Sequence, residues 1–433
     1  MLPWLERFFR LKERGTDLRT ELIAGLTTFM TMSYIIFVNP SILQNAGLPF
    51  AATMAMTCLA AASTTILMGL ATNYPFALAP GMGLNAVVAF GLVLGMKLPW
   101  QVAMAMVFIE GAVVTFFVLT NVREAVMNAI PISLKRAIGV GIGLFIAFIG
   151  LKEGGIVASD PVTFVKLGNF HQPSVLVALA GLVITGVLVA RRVKGAILLG
   201  IIISTFLALL AGVAKLPQQW VTASVDWSTF GRLDLLGALK LSLVPTIFAL
   251  LITDFFDTMG TVIAVGGEGG FLNRDGSLPR LKNVLLVDSL AAMVGGLTSA
   301  SSVTTYIESA AGVAEGGRTG LTSLVVGILF LLALPFAPVA GIVPAAATAP
   351  ALIVVGFLMM NVIRDIPFDR VDEALPAFLT ILGIPLTFSI SHGIGFGFVG
   401  YTLIKVLRGQ WRDVHPLMYI VAALFAVNFA LAR

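Results

Sequence analysis

Two acidic residues, Asp257 and Glu308, stand inside hydrophobic stretches that are long enough to cross a membrane. Each lies beside a Gly- or Thr-rich break, in the segments LITDFFDTMGTVIAVGG (251–267) and SSVTTYIESAAGVAEGG (301–317). A carboxylate at the bilayer centre costs about 2.5–3.5 kcal/mol on insertion scales, so intramembrane acids face cavities and mark substrate or proton pathways. These two acids are therefore the first candidates for a ligand-binding site.

A third acid, Asp254, lies three residues before Asp257 and is expected on roughly the same helix face. Two close carboxylates raise one another's proton affinity, and burial adds to the effect. One of them could then exchange a proton near neutral pH, as a proton-coupled carrier requires. Asp288 and Glu110 are further intramembrane acids, for which a functional role and a structural hydrogen bond both stay open.

A metal site at Asp254 and Asp257 is the alternative, because Asp-x-x-Asp also suits a hard cation. No His, Cys or further acidic cluster completes such a site in the sequence. We therefore predict no metal and no cofactor.

The elements that hold these acids must be membrane-spanning helices. The chain is 58% hydrophobic and 11% charged, whereas soluble domains carry about 25% charged residues. The net charge of +5 does not indicate nucleic-acid binding, because the basic residues cluster in short loops between apolar segments. A single cysteine, Cys58, excludes an internal disulfide.

Apolar segments of spanning length, together with two segments broken by Gly, Pro or Thr (77–96 and 302–316), predict fourteen crossings. With a cytoplasmic N-terminus, most of the 27 Lys and Arg residues fall on the inner side, as the positive-inside rule requires. If either broken segment were not counted as a crossing, the basic residues would no longer fall mostly on one side. Whether the last apolar stretch, 415–431, crosses the membrane stays open.

The predicted fold is an all-α polytopic membrane protein with a seven-plus-seven inverted repeat. Each half has seven spans, and an odd number inserts the second half upside down relative to the first. The broken segments occupy the third place of each half, as spans three and ten. Inverted repeats with interrupted helices in equivalent places are typical of secondary transporters, which bind substrate near the midplane.

Each broken segment is predicted to be a short β-strand followed by a half-helix. In the first, 77–81 is extended and 84–95 is helical, with Asn85 in the first turn. In the second, 302–306 favours a strand and a helix opens near Glu308. Crossing antiparallel, the strands would satisfy each other's backbone, and the half-helices would aim N–H groups at one centre. The alternative is that Asn85 and Glu308 only cap irregular helices.

Four motifs, NP (39–40), APGMGLNA (79–86), DFFDTMGT (254–261) and TTYIESAAGVAEGGRTGL (304–321), resemble those of the AzgA-like purine permeases. These are the hypoxanthine/guanine/adenine branch of the nucleobase/ascorbate transporter superfamily, and the resemblance runs from about residue 15 to beyond 405. It implies proton-coupled purine uptake by elevator-like movement of a core domain against a gate domain. Dimers occur among relatives of this fold, so a homodimer is expected.

The resemblance also implies the division of the chain. The core domain would comprise 21–121 (spans 1–4) and 241–336 (spans 8–11), and the gate domain 131–213 (spans 5–7) and 344–408 (spans 12–14). A cytoplasmic N-terminal segment, 1–20, and a hydrophobic C-terminal segment, 409–433, would flank them.

By the same resemblance, the binding acids correspond to Asp257 and Glu308 and the third-span asparagine to Asn85. Backbone groups near the ligand and hydroxyls lining the site would come from Thr305, Tyr306, Ile307 and Thr28. Uracil-type relatives carry a histidine four residues after the span-eight acid, where this chain has Thr261, so a histidine relay is excluded. The proton-coupling candidates are Asp254, Asp257 and Asp288.

The chemistry of a purine base agrees with these residues. Carboxylates accept hydrogen bonds from ring N–H and exocyclic NH₂ groups, and an amide such as that of Asn85 pairs with a donor–acceptor edge. Aromatic stacking is expected from Phe29, Phe76 or Phe256, which the sequence does not separate.

Three other functions compete with purine transport. A sulfate- or bicarbonate-type anion permease of the same architecture would use the half-helix N-termini, but two ionised acids beside them would repel an anion. An intramembrane enzyme could hold Mg²⁺ at Asp254 and Asp257, and a passive channel would not accumulate substrate. We predict a transporter rather than an enzyme, in the plasma (inner) membrane, with a purine base, protons and the bilayer as partners and no nucleic acid.

Overall fold

The structure is a computed structural model, and it describes residues 3–120, 130–217, 219–222, 224–273 and 277–431. Residues 1–2, 121 and 432–433, which stand at the ends of segments predicted above, lie outside the described residues. Within the described ranges, ten helical stretches are long and apolar enough to cross a membrane. The chain is a multi-pass membrane protein.

The helices of the first half lie close to the predicted apolar segments. They are α1 (Pro3–Phe9), α2 (Leu18–Met32), α3 (Ile35–Gln44), α4 (Phe50–Thr72), α5 (Met82–Ala86), a π-helix (Val87–Gly95), α6 (Trp100–Thr120), α7 (Ile132–Glu153), α8 (Pro173–Ala190) and α9 (Ala196–Leu210).

The helices of the second half begin after residue 234. They are α10 (Leu235–Ala238), α11 (Val244–Glu268), α12 (Leu281–Thr298), α13 (Ser309–Ala314), α14 (Gly320–Ala333), α15 (Ala337–Ala340), α16 (Ala345–Met359), α17 (Val371–Thr387), α18 (Ile390–Leu407) and α19 (Pro416–Leu431). Short 3₁₀ turns occupy Leu241–Leu243, Leu334–Phe336, Met360–Asp365 and Trp411–Asp413.

Two short strands lie in the broken segments, where the sequence predicts extended backbone. Strand β1 (Leu78–Pro80) pairs antiparallel with β4 (Val303–Thr305), with Leu78 opposite Thr305. The predicted antiparallel contact between the two breaks is therefore confirmed. The helix after β1 starts at Met82, two residues before the predicted start.

A second pair of strands, β2 (Val157–Asp160) and β3 (Phe164–Leu167), is a hairpin that the all-α prediction missed. Its turn is held by the Asp160 side chain, whose Oδ1 accepts from the backbone N–H groups of Val162 (2.9 Å) and Thr163 (3.1 Å). The strands are short and largely exposed, so their sequence carries no alternation of buried and exposed residues that could signal them.

The first predicted span is interrupted in its middle. Helix α2 ends at Met32, and α3 begins at Ile35 with Tyr34 as its N-cap residue. Asn39 fixes α3, because its Nδ2 donates to Thr57 Oγ1 (2.8 Å) and to the Ala300 carbonyl (3.0 Å). The break consequently places the Tyr34 side chain at the depth of the paired strands.

The helices pack in two groups, and α11 lies where the groups meet. In one group α4 packs on α14 and α12, and α6 packs on α12; in the other α7 packs on α16, and α17 packs on α18. Gly111 allows the close α6–α12 contact, since a Cβ there would lie 2.8 Å from the Met293 backbone nitrogen. Helix α11 contacts α6 and α13 on one side and α7 and α18 on the other.

Candidate functional site

The paired strands fix the two breaks at the centre of the molecule. Beyond the ladder, Gly81 N–H donates to the Ser302 carbonyl (2.8 Å), and Tyr306 N–H donates to the Ala77 carbonyl (2.9 Å). Thr65 of α4 bonds both backbone groups of Leu78, at 2.8 and 2.9 Å. The extended backbone is therefore satisfied inside the protein, as a membrane interior requires.

Glu308 stands between β4 and α13, and a tyrosine orients it. The Tyr34 hydroxyl donates to Glu308 Oε1 at 2.6 Å, within the range of a charge-assisted hydrogen bond. Tyr34 is buried, whereas Glu308 is half-buried. Sequence reasoning missed Tyr34, because only the tertiary fold brings the first-span break next to the tenth-span break.

Asp257 lies deep in the molecule and is nevertheless exposed. Gly260, Ala264 and Gly267 are exposed on the same face of α11, so small residues continue from Asp257 to the C-terminal end of the helix. Because a carboxylate facing lipid is costly, we infer that this exposed face borders a polar cavity. Asp257 and Glu308 lie close enough to interact electrostatically across it.

The carboxyl group of Asp288 holds the strand in place rather than facing the cavity. Its Oδ1 accepts from the Thr305 N–H (3.0 Å) and the Thr305 hydroxyl (2.9 Å), and its Oδ2 accepts from the Thr258 hydroxyl (2.6 Å). Asp288 is 4% exposed. This carboxylate therefore ties α12 to both β4 and α11.

Asp254 and Asp257 have different surroundings, although the sequence put them on roughly one face. Three residues along a helix leave them about 60° apart around its axis. That is enough to bury Asp254, which is 1% exposed, while Asp257 stays accessible. Asp254 Oδ1 accepts a long hydrogen bond from the Ser302 hydroxyl (3.3 Å) and lies beside Glu110 of α6.

At the strand–helix junctions, the side chains of Asn85 and Tyr306 are directed at the protein's own backbone. Asn85 is fully buried; its Nδ2 lies 3.5 Å from the Pro80 carbonyl, and no described residue donates to its Oδ1. The Tyr306 hydroxyl donates to the same Pro80 carbonyl. Ile307 is 49% exposed, and its backbone N–H donates to no other described residue.

Thr28, which is predicted to line the site, packs between helices in this structure. It is fully buried in α2 and packs against Gly312 of α13, where an added Cβ would lie 2.1 Å from the Thr28 Oγ1. The role of Thr28 as a lining residue stays a prediction. Of the groups predicted for the site, Asp257 and Ile307 are exposed and Glu308 is half-buried.

The three aromatic candidates differ in position. Phe76 is fully buried and stacks on Tyr74 at 5.3 Å between ring centroids. Phe29 is half-buried and packs edge-on against Phe330 at 5.2 Å. Phe256 is half-buried beneath Lys135 of α7, whose Nζ lies 4.9 Å from its ring centroid. Phe29 and Phe256 therefore remain as stacking candidates.

Comparison with known sequences gives consistent matches over nearly the whole chain. A family model described as "Permease family" (Xan_ur_permease) matches residues 19–396. A putative permease of Methanocaldococcus jannaschii is 48% identical over 99% of both chains. The adenine permease AdeP of Escherichia coli is 43% identical, covering 98% of this chain and 95% of its own. The guanine/hypoxanthine permease PbuO of Bacillus subtilis is 43% identical, covering 97% and 99%.

Comparison with solved structures reports on the fold. The transmembrane domain of the cyanobacterial bicarbonate transporter BicA matches with a TM-score of 0.67, covering 88% of this chain and 97% of that domain at 15% identity. SLC26A9 matches with a TM-score of 0.64, covering 94% of this chain and 67% of its own at 13% identity. At these identities the likeness shows a shared fold and nothing about the ligand.

Proposed function

From the premise that the chain belongs to the permease family whose sequence model it matches, we propose that this transporter imports the purine nucleobases adenine, guanine and hypoxanthine with protons. The observation that carries the proposal is the pair of carboxylates, Asp257 and Glu308, at one deep cavity. Full-length relatives named as adenine and guanine/hypoxanthine permeases support the substrate class. The protein is not an enzyme.

The cavity offers the groups that a purine edge needs. Tyr34 occupies Oε1 of Glu308, and we assign Oε2 and the Asp257 carboxylate to ring or exocyclic N–H groups of the base. The free Ile307 N–H would donate to a ring nitrogen. Asn85 and Tyr306 would support this arrangement from behind, through Pro80. A hydrogen-bonding site of this kind rejects analogues that lack the expected groups.

For the transport cycle we propose the fourteen-span inverted repeat, with a core domain (21–121 and 241–336) that moves against a gate domain (131–213 and 344–408). The two packing groups of helices support this division. To the ten long candidate spans the proposal adds the shorter apolar helices 82–95 and 196–210, helix α17, which contains Pro376 and Pro385, and the tenth span formed by β4 and α13. The apolar helix 416–427 lies outside these fourteen.

We place the protein in the plasma (inner) membrane with a cytoplasmic N-terminus, as the distribution of basic residues predicts. The exposed face of α11 then runs from Asp257 towards the cytoplasm, which supports an inward-open arrangement of the cavity. A homodimer is part of the proposal, by analogy with relatives of the fold.

Anion transport is the second candidate, because the solved structures that share the fold include a bicarbonate transporter. Two carboxylates at the cavity oppose it, since an anion would be repelled at close range in a weakly screened interior.

Transport by purified protein in liposomes tests both functions. Radiolabelled adenine, guanine, hypoxanthine, uracil, bicarbonate and sulfate would be offered with acid outside or acid inside. We expect purine accumulation above equilibrium only with acid outside, abolished by a protonophore. Purine uptake that reaches only equilibrium, whatever the pH gradient, would contradict proton coupling. Anion uptake without purine uptake would favour the second candidate.

A further inference from the structure

A second carboxyl cluster lies behind the cavity, on the far side of α11. Glu110, in the middle of α6, is fully buried, and no described residue donates a hydrogen bond to either of its carboxylate oxygens. Its neighbour across the helix contact is Asp254. The nearby Ser302 hydroxyl has one hydrogen to donate, and its oxygen lies 3.3 Å from Asp254 Oδ1.

No described cation compensates these two acids. The groups that face them are acidic: Asp257 from α11 itself and Asp288 from α12. Eight ion pairs between described residues lie elsewhere, near the helix ends and in the loops. Two ionised carboxylates buried side by side without a counter-charge would be strongly destabilising.

The hydrogen-bond donors separate this pair from Asp288. Three donors reach Asp288, from Thr305 and Thr258, and such donors stabilise an ionised carboxylate. Asp254 receives a single long bond, and Glu110 receives none. The donors therefore favour the ionised form of Asp288 and a protonated Glu110–Asp254 pair.

We propose that Glu110 and Asp254 share one proton and form the proton-binding site that drives transport. This inference rests on the proposed purine–proton symport and assigns its coupling site. Loading takes one proton from water and changes the charge of the pair from −2 to −1; release returns the proton to water, and no other bond changes. A sodium ion fits less well, because three oxygen-bearing side chains fall short of the six or so ligands of a hard cation.

In this proposal the proton reaches the Glu110–Asp254 pair by way of Asp257. It is the accessible acid one helical turn from Asp254, and the two carboxyl groups interact. A purine bound to Asp257 would cover this route. The proton must then load before the purine and leave after it, so the two bind in a fixed order.

A measurement without substrate tests the shared proton directly. Infrared spectra of the reconstituted protein at neutral pH should show a protonated-carboxyl C=O band that Glu110→Gln and Asp254→Asn each remove. Glu13→Gln, which changes an acid with a 71% exposed side chain, should leave the band unchanged. A band that survives both buried substitutions, or no band in the unaltered protein, would overturn the proposal.

Transport then tests the coupling role. With one proton per purine and no membrane potential, a gradient of one pH unit supports about tenfold accumulation. Glu110→Gln should still exchange labelled for unlabelled purine yet lose this accumulation, and Glu110→Asp should recover part of it.

The outcomes separate the two proposals. Full accumulation by Glu110→Gln, beside an accumulating unaltered protein, would refute the coupling site and leave purine symport standing. Accumulation driven by a sodium gradient at constant pH would contradict the proposal, because the coupling ion would then be sodium rather than a proton. An unaltered protein that never accumulates purine would refute the symport, while the infrared band would still decide whether the pair holds a proton. If Glu110→Gln fails to insert, Asp254→Asn provides the same spectroscopic test.

Discussion

The two faces of α11 carry the same residue type in opposite circumstances. Asp257 borders a cavity together with Glu308, whereas Asp254, three residues earlier, is buried against Glu110. The accessible acid can exchange partners with water or ligand, and the buried one keeps the partners that the fold supplies. The comparison teaches that the donors around a carboxylate, more than its place in a motif, assign its role.

The accessible face should give the largest effects on transport. Asp257→Asn and Glu308→Gln each replace a carboxyl acceptor by an amide, and a hydrogen bond to a charged group contributes about 1.5–3 kcal/mol, which is roughly 10- to 150-fold in affinity. We expect purine uptake to fall at least to that extent in both variants, with membrane insertion intact. Uptake by right-side-out vesicles and size-exclusion profiles of the purified variants measure the two quantities. Normal uptake by both variants would contradict the assignment of Asp257 and Glu308 to the purine-binding site.

The buried face should give the largest effects on stability. Asp288→Ala leaves the Thr305 N–H and two hydroxyls without their acceptor, and unsatisfied buried donors cost about 1–3 kcal/mol each. We expect a lower melting temperature in detergent and weak uptake, because β4 no longer holds α13. Glu110→Gln should melt at or above the temperature of the unaltered protein, since it removes a buried acid that has no donor. Equal melting temperatures for the two variants would contradict the different roles of Asp288 and Glu110.

An intermediate effect is expected at Tyr34, which touches the cavity only through Glu308. Tyr34→Phe removes one hydrogen bond to a carboxylate, worth about 1.5–3 kcal/mol, and leaves the ring packing in place. The half-saturating purine concentration should rise about tenfold while the melting temperature changes little. Ser33→Ala, in the same break, is the matched control. A loss of maximal rate without a change in affinity would show that Tyr34 does not orient the acceptor.

Cysteine labelling should perturb the protein least, and it maps the accessible and buried faces of α11. The native Cys58 is fully buried, so it should not react with a polar thiol reagent. Gly260→Cys adds a side chain where nothing lies within 4 Å, and it should be labelled from the cytoplasmic side and protected by purine. Thr253→Cys, at a position that is 4% exposed, should stay unlabelled. Labelling of both or of neither would contradict the assignment of the faces.

The sequence predicts the elements of the centre well but not their partners. Pro80, Gly81 and the β-favouring residues near Thr305 determine the local backbone, so both strands and their following helices could be foreseen. Intramembrane acids are rare, and that rarity identified Asp257 and Glu308. Membership of a purine-permease branch, inferred from the motifs, agrees with the relatives found.

What could not be foreseen depends on contacts between distant segments. Tyr34 reaches Glu308 across 274 residues of chain, and no local pattern signals that hydrogen bond. The structural role of Asp288 depends on Thr258 and Thr305, which a single sequence offers only as two of many hydroxyls. The spacing of Asp254 and Asp257 was visible, but the packing of α6 against α11 decides which of them is buried.

The pairing of β1 with β4 also has a consequence for biosynthesis. Tyr306 and Pro80, which bond to each other beside the ladder, are 226 residues apart. A ribosome that has delivered Pro80 to the membrane must therefore complete most of the remaining helices before the partner strand emerges. Until then the backbone groups of β1 that pair with β4 lack the acceptors and donors that a bilayer cannot provide. The nascent first half thus has to be sheltered by the insertion machinery or by water, and the two halves mature together rather than in turn.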